Sequence, residues 1–401
     1  MSEPRHFAYL DSVRALAFLA VISVHVAMAT GSFPGKSLLL FGGFGVQLFF
    51  LASAITLCQS MSERKQLDRY PVAFFYLRRL FRIAPLFWLA MAFYWLIPSL
   101  VPPFLLADMA PSGVHASYFW LTAFFLHGWH PYTFDSIVPG GWSIAVEMTF
   151  YLIFPLLFFF INSLRRAVIA VFISFFYLKF MLHRGWPCDS LFPFLESHVY
   201  SGTPKGLLGF FMGLWFPAQL PVFLIGFLAF YLLREPLVQK AMASKFWTRS
   251  LLVFCGLALL NWAKSPAVFM PNGFQIDLTL AGVVIALSGA ATRLLVNPII
   301  CRLGRISYSC YLVHFAAFGL VVKWLGHGAV LTSVSPSIDA GSRLANLLLF
   351  ARLFIPSLLL TVVFATITYR FLEQPGIELG RRLIRRISAR ARHAVLSGAA
   401  T

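Results

Sequence analysis

The stretch "SVRALAFLAVISVHVAMAT", residues 12–30, decides the fold class. It is long and apolar enough to cross a bilayer as a helix, yet it carries Arg14 near its start and His25 well inside it. A helix turns by about 100° and rises by about 1.5 Å per residue, so eleven steps return the chain to nearly the same face, about 16 Å further along. Arg14 and His25 therefore share one stripe of a single helix, three turns apart.

The rest of the chain repeats the apolar pattern. Of 401 residues, 59% are hydrophobic and 11% charged, and the mean hydropathy is +0.80, whereas about a quarter of a soluble domain is charged. A soluble globule is excluded. The 44 Phe and 10 Trp suit lipid-facing helices with aromatic belts at the interfaces. The net charge of +18 comes from Lys and Arg in short connections between apolar runs, among them "SERKQLDRYPVAFFYLRRLFR" from Ser62, "SLRR" from Ser163, "RLGR" from Arg302 and the tail "RRLIRRISARARH" from Arg381. Basic loops of this kind stay cytoplasmic, so the charge reports topology and not nucleic-acid binding.

Reading spans between those marks predicts an all-α, polytopic integral membrane protein. Ten crossings are expected, near residues 13–30, 38–58, 82–100, 142–161, 167–182, 214–233, 250–263, 277–296, 306–325 and 345–371, with both termini cytoplasmic. Residues 1–376 form the membrane domain and 377–401 a basic cytoplasmic tail. "SYFWLTAFFLHGWH", from Ser117, is too short to cross and is expected to dip into the membrane and line a cavity. The first apolar stretch is kept as a helix of the mature protein, because further crossings follow it. Cys58, Cys188, Cys255, Cys301 and Cys310 have no metal-ligand spacing, and only Cys188 falls in an expected outer loop, so neither a metal site nor a disulfide framework is predicted. No internal repeat, P-loop or dinucleotide fingerprint is present.

Ionisable groups are costly in lipid and mark functional candidates. His25, Glu147 and His314 lie within expected spans, with Asp277 near the end of one. Arg14, Arg78, Arg79, Arg82 and Arg370 stand at the cytoplasmic ends. Depth brings two of these together. His25 is in the outer half of an outward-running helix, and Glu147 is about 8 Å below the outer surface on an inward-running one. A carboxylate reaching one imidazole nitrogen would orient the ring as a general base, so His25 and Glu147 are the candidate catalytic pair. Guanidinium groups suit phosphate, which makes Arg14, Arg79 and Arg82 candidates for holding a phosphorylated donor, although snorkelling and the positive-inside rule explain the arginines as well. In "GRISYSCYLVHF", Ser307, Tyr311 and His314 share a face beside Tyr308, as a packing seam or as substrate contacts. "RFLEQP" reads as an Arg370–Glu373 ion pair before a helix-stopping Pro375.

In order along the chain, "YLDSVRALAFLAVISVHV", "GVQLFFLASAITL", "YLRRLFRIAPLFWL", "VPGGWSIAVEMTFYLIFPL", "LPVFLIGFLAFYL", "LGRISYSCYLVH" and "YRFLEQP" resemble the acyltransferase-3 family of integral-membrane O-acyltransferases. The resemblance covers residues 9 to about 376. It implies ten transmembrane helices, a cytoplasmic acyl-CoA donor and an acceptor hydroxyl at the outer face. By the same carry-over, Arg14 and His25 match the family's functional pair, Arg79 and Arg82 its basic motif, and Trp142, Ser143 and Glu147 its "WSLAVEEQFY" element. Ser53-Ala54 stands where members often read Ser-Gly, and Met148-Thr149 where a second acidic or Gln pair is usual. The basic tail, with no hydrolase-like extension, resembles the stand-alone form.

The function expected is transfer of an acyl group, acetyl by preference, from acyl-CoA to a hydroxyl of an extracytoplasmic glycan or glycolipid in a bacterial inner membrane. Acyl-CoA is a co-substrate, and no resident cofactor or metal is expected. His25 and Glu147 would be catalytic, with Arg14, Arg79 and Arg82 holding the donor and Trp142, Ser143, Tyr308 and His314 contacting substrate. Direct transfer and a covalent acyl-His25 relay are both open to this set of residues. A proton-coupled exporter, which would also bury His and Glu in the membrane, is the alternative.

Overall fold

The computed structural model describes residues 7–101, 115–182, 194–264, 273–290, 292–325 and 343–398. Residues 102–114, 183–193 with Cys188, and 326–342 lie outside these residues.

The chain is an all-α membrane protein. Its described helices are α1 (Ala8–Met28), α2 (Lys36–Leu40), α3 (Gly45–Arg64), α4 (Pro71–Leu96), α5 (Ala116–Ala123), α6 (Gly141–Phe160), α7 (Leu164–Leu182), α8 (Lys205–Leu214), α9 (Phe216–Leu232), α10 (Pro236–Ala243), α11 (Lys245–Ala263), α12 (Gly273–Leu287), α13 (Pro298–Arg305), α14 (Ser307–Trp324), α15 (Arg343–Thr368) and α16 (Gln374–Gly398). Helices occupy all ten expected stretches. Seven of them, counting joined segments as one, are long and apolar enough to cross a membrane, and an eighth results if α13 and α14, which meet at 75°, form one span. α7 and α12 fill the remaining two stretches and are not in that set.

The bundle centre is α1, packed between α3, α13 and α14. Close approach of α1 and α3 needs Gly45, where a Cβ would stand 2.5 Å from the Ala17 carbonyl oxygen. Phenylalanines lock α3, α6 and α9 together. Phe150 stacks on Phe223 at 3.9 Å between ring centroids, and Phe50 lies 4.7 Å from Phe223. This packing fixes the rotation of α6 and so decides which side chains it turns inward.

Among the described residues between α4 and α6, no helix is long enough to cross a membrane. α5 has eight residues, about 12 Å of helix, after which the chain runs through a turn at Phe125, whose φ is +61°, to Gly140. His127 is buried there, stacked on Phe87 at 5.8 Å, with Nε2 donating to the Gly141 carbonyl oxygen at 3.1 Å. Thr133 Oγ1 donates to the His127 carbonyl oxygen at 2.7 Å. Non-helical backbone is thus packed in protein, the condition under which it is tolerated near a bilayer.

The C-terminal reading requires correction. Pro375 does not stop the helix. The chain stays helical from α15 through a π-helical turn at Tyr369–Glu373 into α16, and the wider turn just before Pro375 is where the helix absorbs the proline. Glu373 does not pair with Arg370, which is exposed. It turns inward, 1% exposed, and accepts from Ser309 Oγ at 2.9 Å. α16 packs along α4, so the start of the basic tail is continuous with the bundle.

Candidate active site

A cavity of about 650 Å³, its mouth included, lies between α1, α3, α4, α6 and α14. Helical periodicity builds its walls. Ser143, Glu147 and Tyr151 recur every four residues on α6, and Val46, Phe49, Phe50, Ser53 and Thr56 form the matching stripe of α3. α4 contributes Arg79, Arg82 and Ile83, α1 contributes Arg14, and α14 contributes Ser307, Tyr308 and Tyr311.

Three guanidinium groups face this space. Arg14 is held by two partners, with Nη2 donating to Thr56 Oγ1 at 2.6 Å and Nη1 reaching Asp11 Oδ1 at 3.4 Å. Arg79 lies against the rings of Phe75 and Tyr151, 5.9 Å from each centroid, and its buried Nε has no hydrogen-bond partner among the described residues. Arg78, one residue earlier, points away and is neutralised by Asp68 at 2.7 Å. Among the described residues neither Arg79 nor Arg82 has a carboxylate within ion-pair distance.

The one carboxylate on the cavity wall is Glu147. Its Oε1 accepts from Ser53 Oγ at 2.5 Å and from the Tyr151 hydroxyl. Deeper along α14, Ser143 Oγ donates to the Tyr311 hydroxyl at 2.8 Å, which in turn donates to the Gly140 carbonyl oxygen at 3.0 Å. Gly140 is required at this corner. Its φ is +73°, and a Cβ would stand 2.9 Å from the Tyr311 hydroxyl oxygen. Tyr308 donates to the Ile83 carbonyl oxygen at 2.7 Å.

His25 is not on the cavity wall, and the expected contact with Glu147 is not formed. Ser53 and Tyr151 take the carboxylate, while His25 Nδ1 bonds the Val21 carbonyl oxygen at 3.2 Å within its own helix. The imidazole packs against α14, 4.5 Å from the Phe315 ring and 5.2 Å from that of His314. Of the residues expected to contact substrate, Ser143 and Tyr308 line the cavity, whereas His314 stands beside His25 and Trp142 packs edge-on against Phe50 at 6.3 Å. Equal depth is a weaker constraint than rotation about the helix axis: the face of α6 that carries Glu147 looks toward α3 and α4.

Sequence reasoning missed Thr56 and Tyr151 and passed over Ser53 except as a departure. A signal existed for each. Tyr151 is four residues after Glu147, and Ser53 and Thr56 are polar side chains three apart inside the apolar run "LFFLASAITL".

The profile of a family described as an acyltransferase domain matches residues 7–372, a region that contains every residue lining the cavity. The chain belongs to this acyltransferase family. The O-acetyltransferase OatA of Staphylococcus aureus strain NCTC 8325 / PS 47 is 23% identical over 399 residues, covering 94% of this chain and 58% of that protein. OatA of Staphylococcus aureus strain COL gives the same figures. The chain thus spans 58% of the length of these relatives. No solved structure matches it.

Proposed function

We propose that this membrane protein transfers an acetyl group from a CoA thioester, entering from the cytoplasm, to a hydroxyl of a glycan or glycolipid on the opposite side. The observation that carries the reading is charge: Arg14, Arg79 and Arg82 share a buried cavity with one carboxylate, Glu147. Asp11 reaches Arg14, and Glu373 and Glu147 act on Arg82, yet three guanidinium groups turn N–H donors to one cavity, a donor set that suits the phosphates of a CoA thioester. Arg79 Nε, buried without a partner, is a donor left for it.

The donor's thioester end would extend from the arginines past Ser143 and Tyr311 toward His25. Because a carbonyl oxygen only accepts, the bond to Val21 places a proton on His25 Nδ1 and leaves Nε2 with its lone pair free. His25 Nε2 would take the proton of the acceptor hydroxyl. The oxygen then attacks the thioester carbonyl, the C–S bond breaks, and the proton passes to the CoA sulfur. Glu147, tied to Ser53 and Tyr151, would hold the wall and temper the charge of the arginines instead of orienting His25. The acetyl group rests on relatives named as O-acetyltransferases; the basic inner connections support the cytoplasmic entry.

The test is thiol release. Purified protein in lipid nanodiscs, given acetyl-CoA and a panel of glycan and glycolipid acceptors, is expected to liberate free CoA only when the right acceptor is present. His25→Gln should bind CoA as the wild type does and transfer about a hundredfold more slowly, the scale of losing a positioned base. Absence of CoA binding by the wild-type protein would remove the reading.

A further inference from the structure

The buried imidazole of His314 has no part in the mechanism above, yet it is 1% exposed and its Nε2 has no hydrogen-bond partner among the described residues. Its Nδ1 bonds the Tyr311 carbonyl oxygen at 2.6 Å. A carbonyl accepts, so this nitrogen carries the proton and Nε2 carries the free lone pair. His25 is arranged in the same way, with its Nδ1 committed to the Val21 carbonyl oxygen. Two imidazoles therefore lie side by side, each with Nδ1 committed and Nε2 bare. Their centroids are 5.2 Å apart with the planes at 48°, and the two Nε2 atoms do not bond each other in this arrangement. Two rings joined end to end by one proton need about 2.8 Å between nitrogens plus about 1.1 Å on each side, roughly 5 Å in all, so the pair has the separation and needs only a turn of the rings to take up a shared proton.

The two rings differ in access. His25 is partly exposed, whereas His314 is sealed behind it. Phe315 lies 4.5 Å from His25 and 4.0 Å from His314, and Phe18 stands edge-on to His314 at 6.3 Å. Among the described residues, Tyr311 lies 5.7 Å from His314 with its hydroxyl already engaged, and the buried Cys310 stands one turn before His314 on α14.

We infer that His314 is the positioning residue for His25: the proton that His25 Nε2 takes from the acceptor hydroxyl is shared with His314 Nε2 until the CoA sulfur receives it. One O–H bond breaks, one N–H···N bridge forms, and the bridge breaks when the S–H bond of CoA forms. An imidazolium in an apolar site is costly, and spreading its charge over two rings lowers that cost. The inference rests on the acetyl-transfer reading for the origin of the proton, and not for the pairing itself.

The experiment has two arms. In the first, histidine-selective 15N labelling of the full chain in lipid bilayers is followed from pH 8 to pH 5 by NMR. One proton resonance correlated with Nε2 of both rings is the expected result, replaced in His314→Gln by one correlated with His25 alone. In the second, His314→Gln and His314→Asn, the latter keeping a donor toward the Tyr311 carbonyl, should retain wild-type thermal stability and CoA affinity while kcat for transfer falls at least tenfold at unchanged KM. Added imidazole should restore part of the rate in His314→Ala. A wild-type spectrum without a shared proton overturns the inference, as does an unchanged kcat in the two folded variants. Should the wild type transfer nothing at all, the acetyl-transfer reading fails, and the shared resonance alone decides the pair.

Discussion

Replacing Glu147 by Gln should make the cavity bind CoA more tightly and transfer more slowly. The variant keeps the shape of the side chain and an oxygen that accepts from Ser53 and Tyr151, and it removes the negative charge on the cavity wall, leaving Asp11 beside Arg14 and Glu373 toward Arg82. A separation of about 8 Å between an anion held by the arginines and the carboxylate sets the scale. At an effective dielectric constant near 20, the repulsion between two unit charges at that distance is about 2 kcal/mol. Relieving it raises affinity roughly thirtyfold, and about fivefold if water screens half of it. The same change weakens two charge-assisted hydrogen bonds to neutral ones, a loss of about 1–2 kcal/mol of stability. Calorimetric titration of CoA into protein in nanodiscs reads the affinity, and a thermal melt reads the stability. Equal or weaker binding by a folded Glu147→Gln protein would refute the assignment of the arginine cavity to the donor's phosphates.

Other expectations follow from single contacts. Arg79→Ala and Arg82→Ala should each weaken CoA binding by about 1.5–3 kcal/mol, the range for a hydrogen bond to a charged group, and unchanged affinity in both would return these arginines to a topological role. His127 lies outside the spans, and burial, partly offset by its bond to the Gly141 carbonyl, pushes its pKa down to about 4. The unfolded chain therefore binds the extra proton between about pH 6.5 and 4, so stability is complete above that window and falls by up to roughly 3 kcal/mol as pH drops through it. His127→Gln, which keeps the donor to Gly141, should flatten that part of a pH–melting curve. Gly140→Ala should cost about 2 kcal/mol or more, because it combines a positive φ with a 2.9 Å approach to the Tyr311 hydroxyl; a melting temperature equal to wild type would show that the corner relaxes. Cys58, Cys255, Cys301 and Cys310 are buried, so an impermeant thiol reagent applied from outside should label Cys188 alone, and labelling only from the inner face would invert the expected topology.

The difference between what was legible and what was not has a single physical origin. Apolar length and basic connections are one-dimensional signals, and they placed helices in all ten stretches. α5 is short, as the stretch from Ser117 led one to expect, since eight residues of helix cannot span a bilayer, but none of residues 117–130 lines the arginine cavity. Family motifs brought Arg14, Arg79, Arg82, Ser143 and Tyr308 to one cavity. Rotation about each helix axis is not a one-dimensional signal in a membrane protein, because lipid-facing and core-facing residues are equally apolar, and so the amphipathic stripe that orients a soluble helix is absent. Glu147 and His25 were matched by depth and then separated by rotation, which the Phe50, Phe150 and Phe223 packing sets. What does encode rotation is the spacing of the few polar side chains: Ser143, Glu147 and Tyr151 on α6, Ser53 and Thr56 on α3, Tyr311 and His314 on α14. Each group marks the face of its helix turned from lipid. His25 belongs with the last of these, since α1 and α14 face each other at His25 and His314. The carboxylate sought as its partner holds the wall of the arginine cavity instead. The imidazole of α1 is thereby left to another imidazole, which ties the acid–base chemistry of the proposed reaction to the outer part of α1 and to α14, and the charge of the donor to Arg14 on α1 and Arg79 and Arg82 on α4.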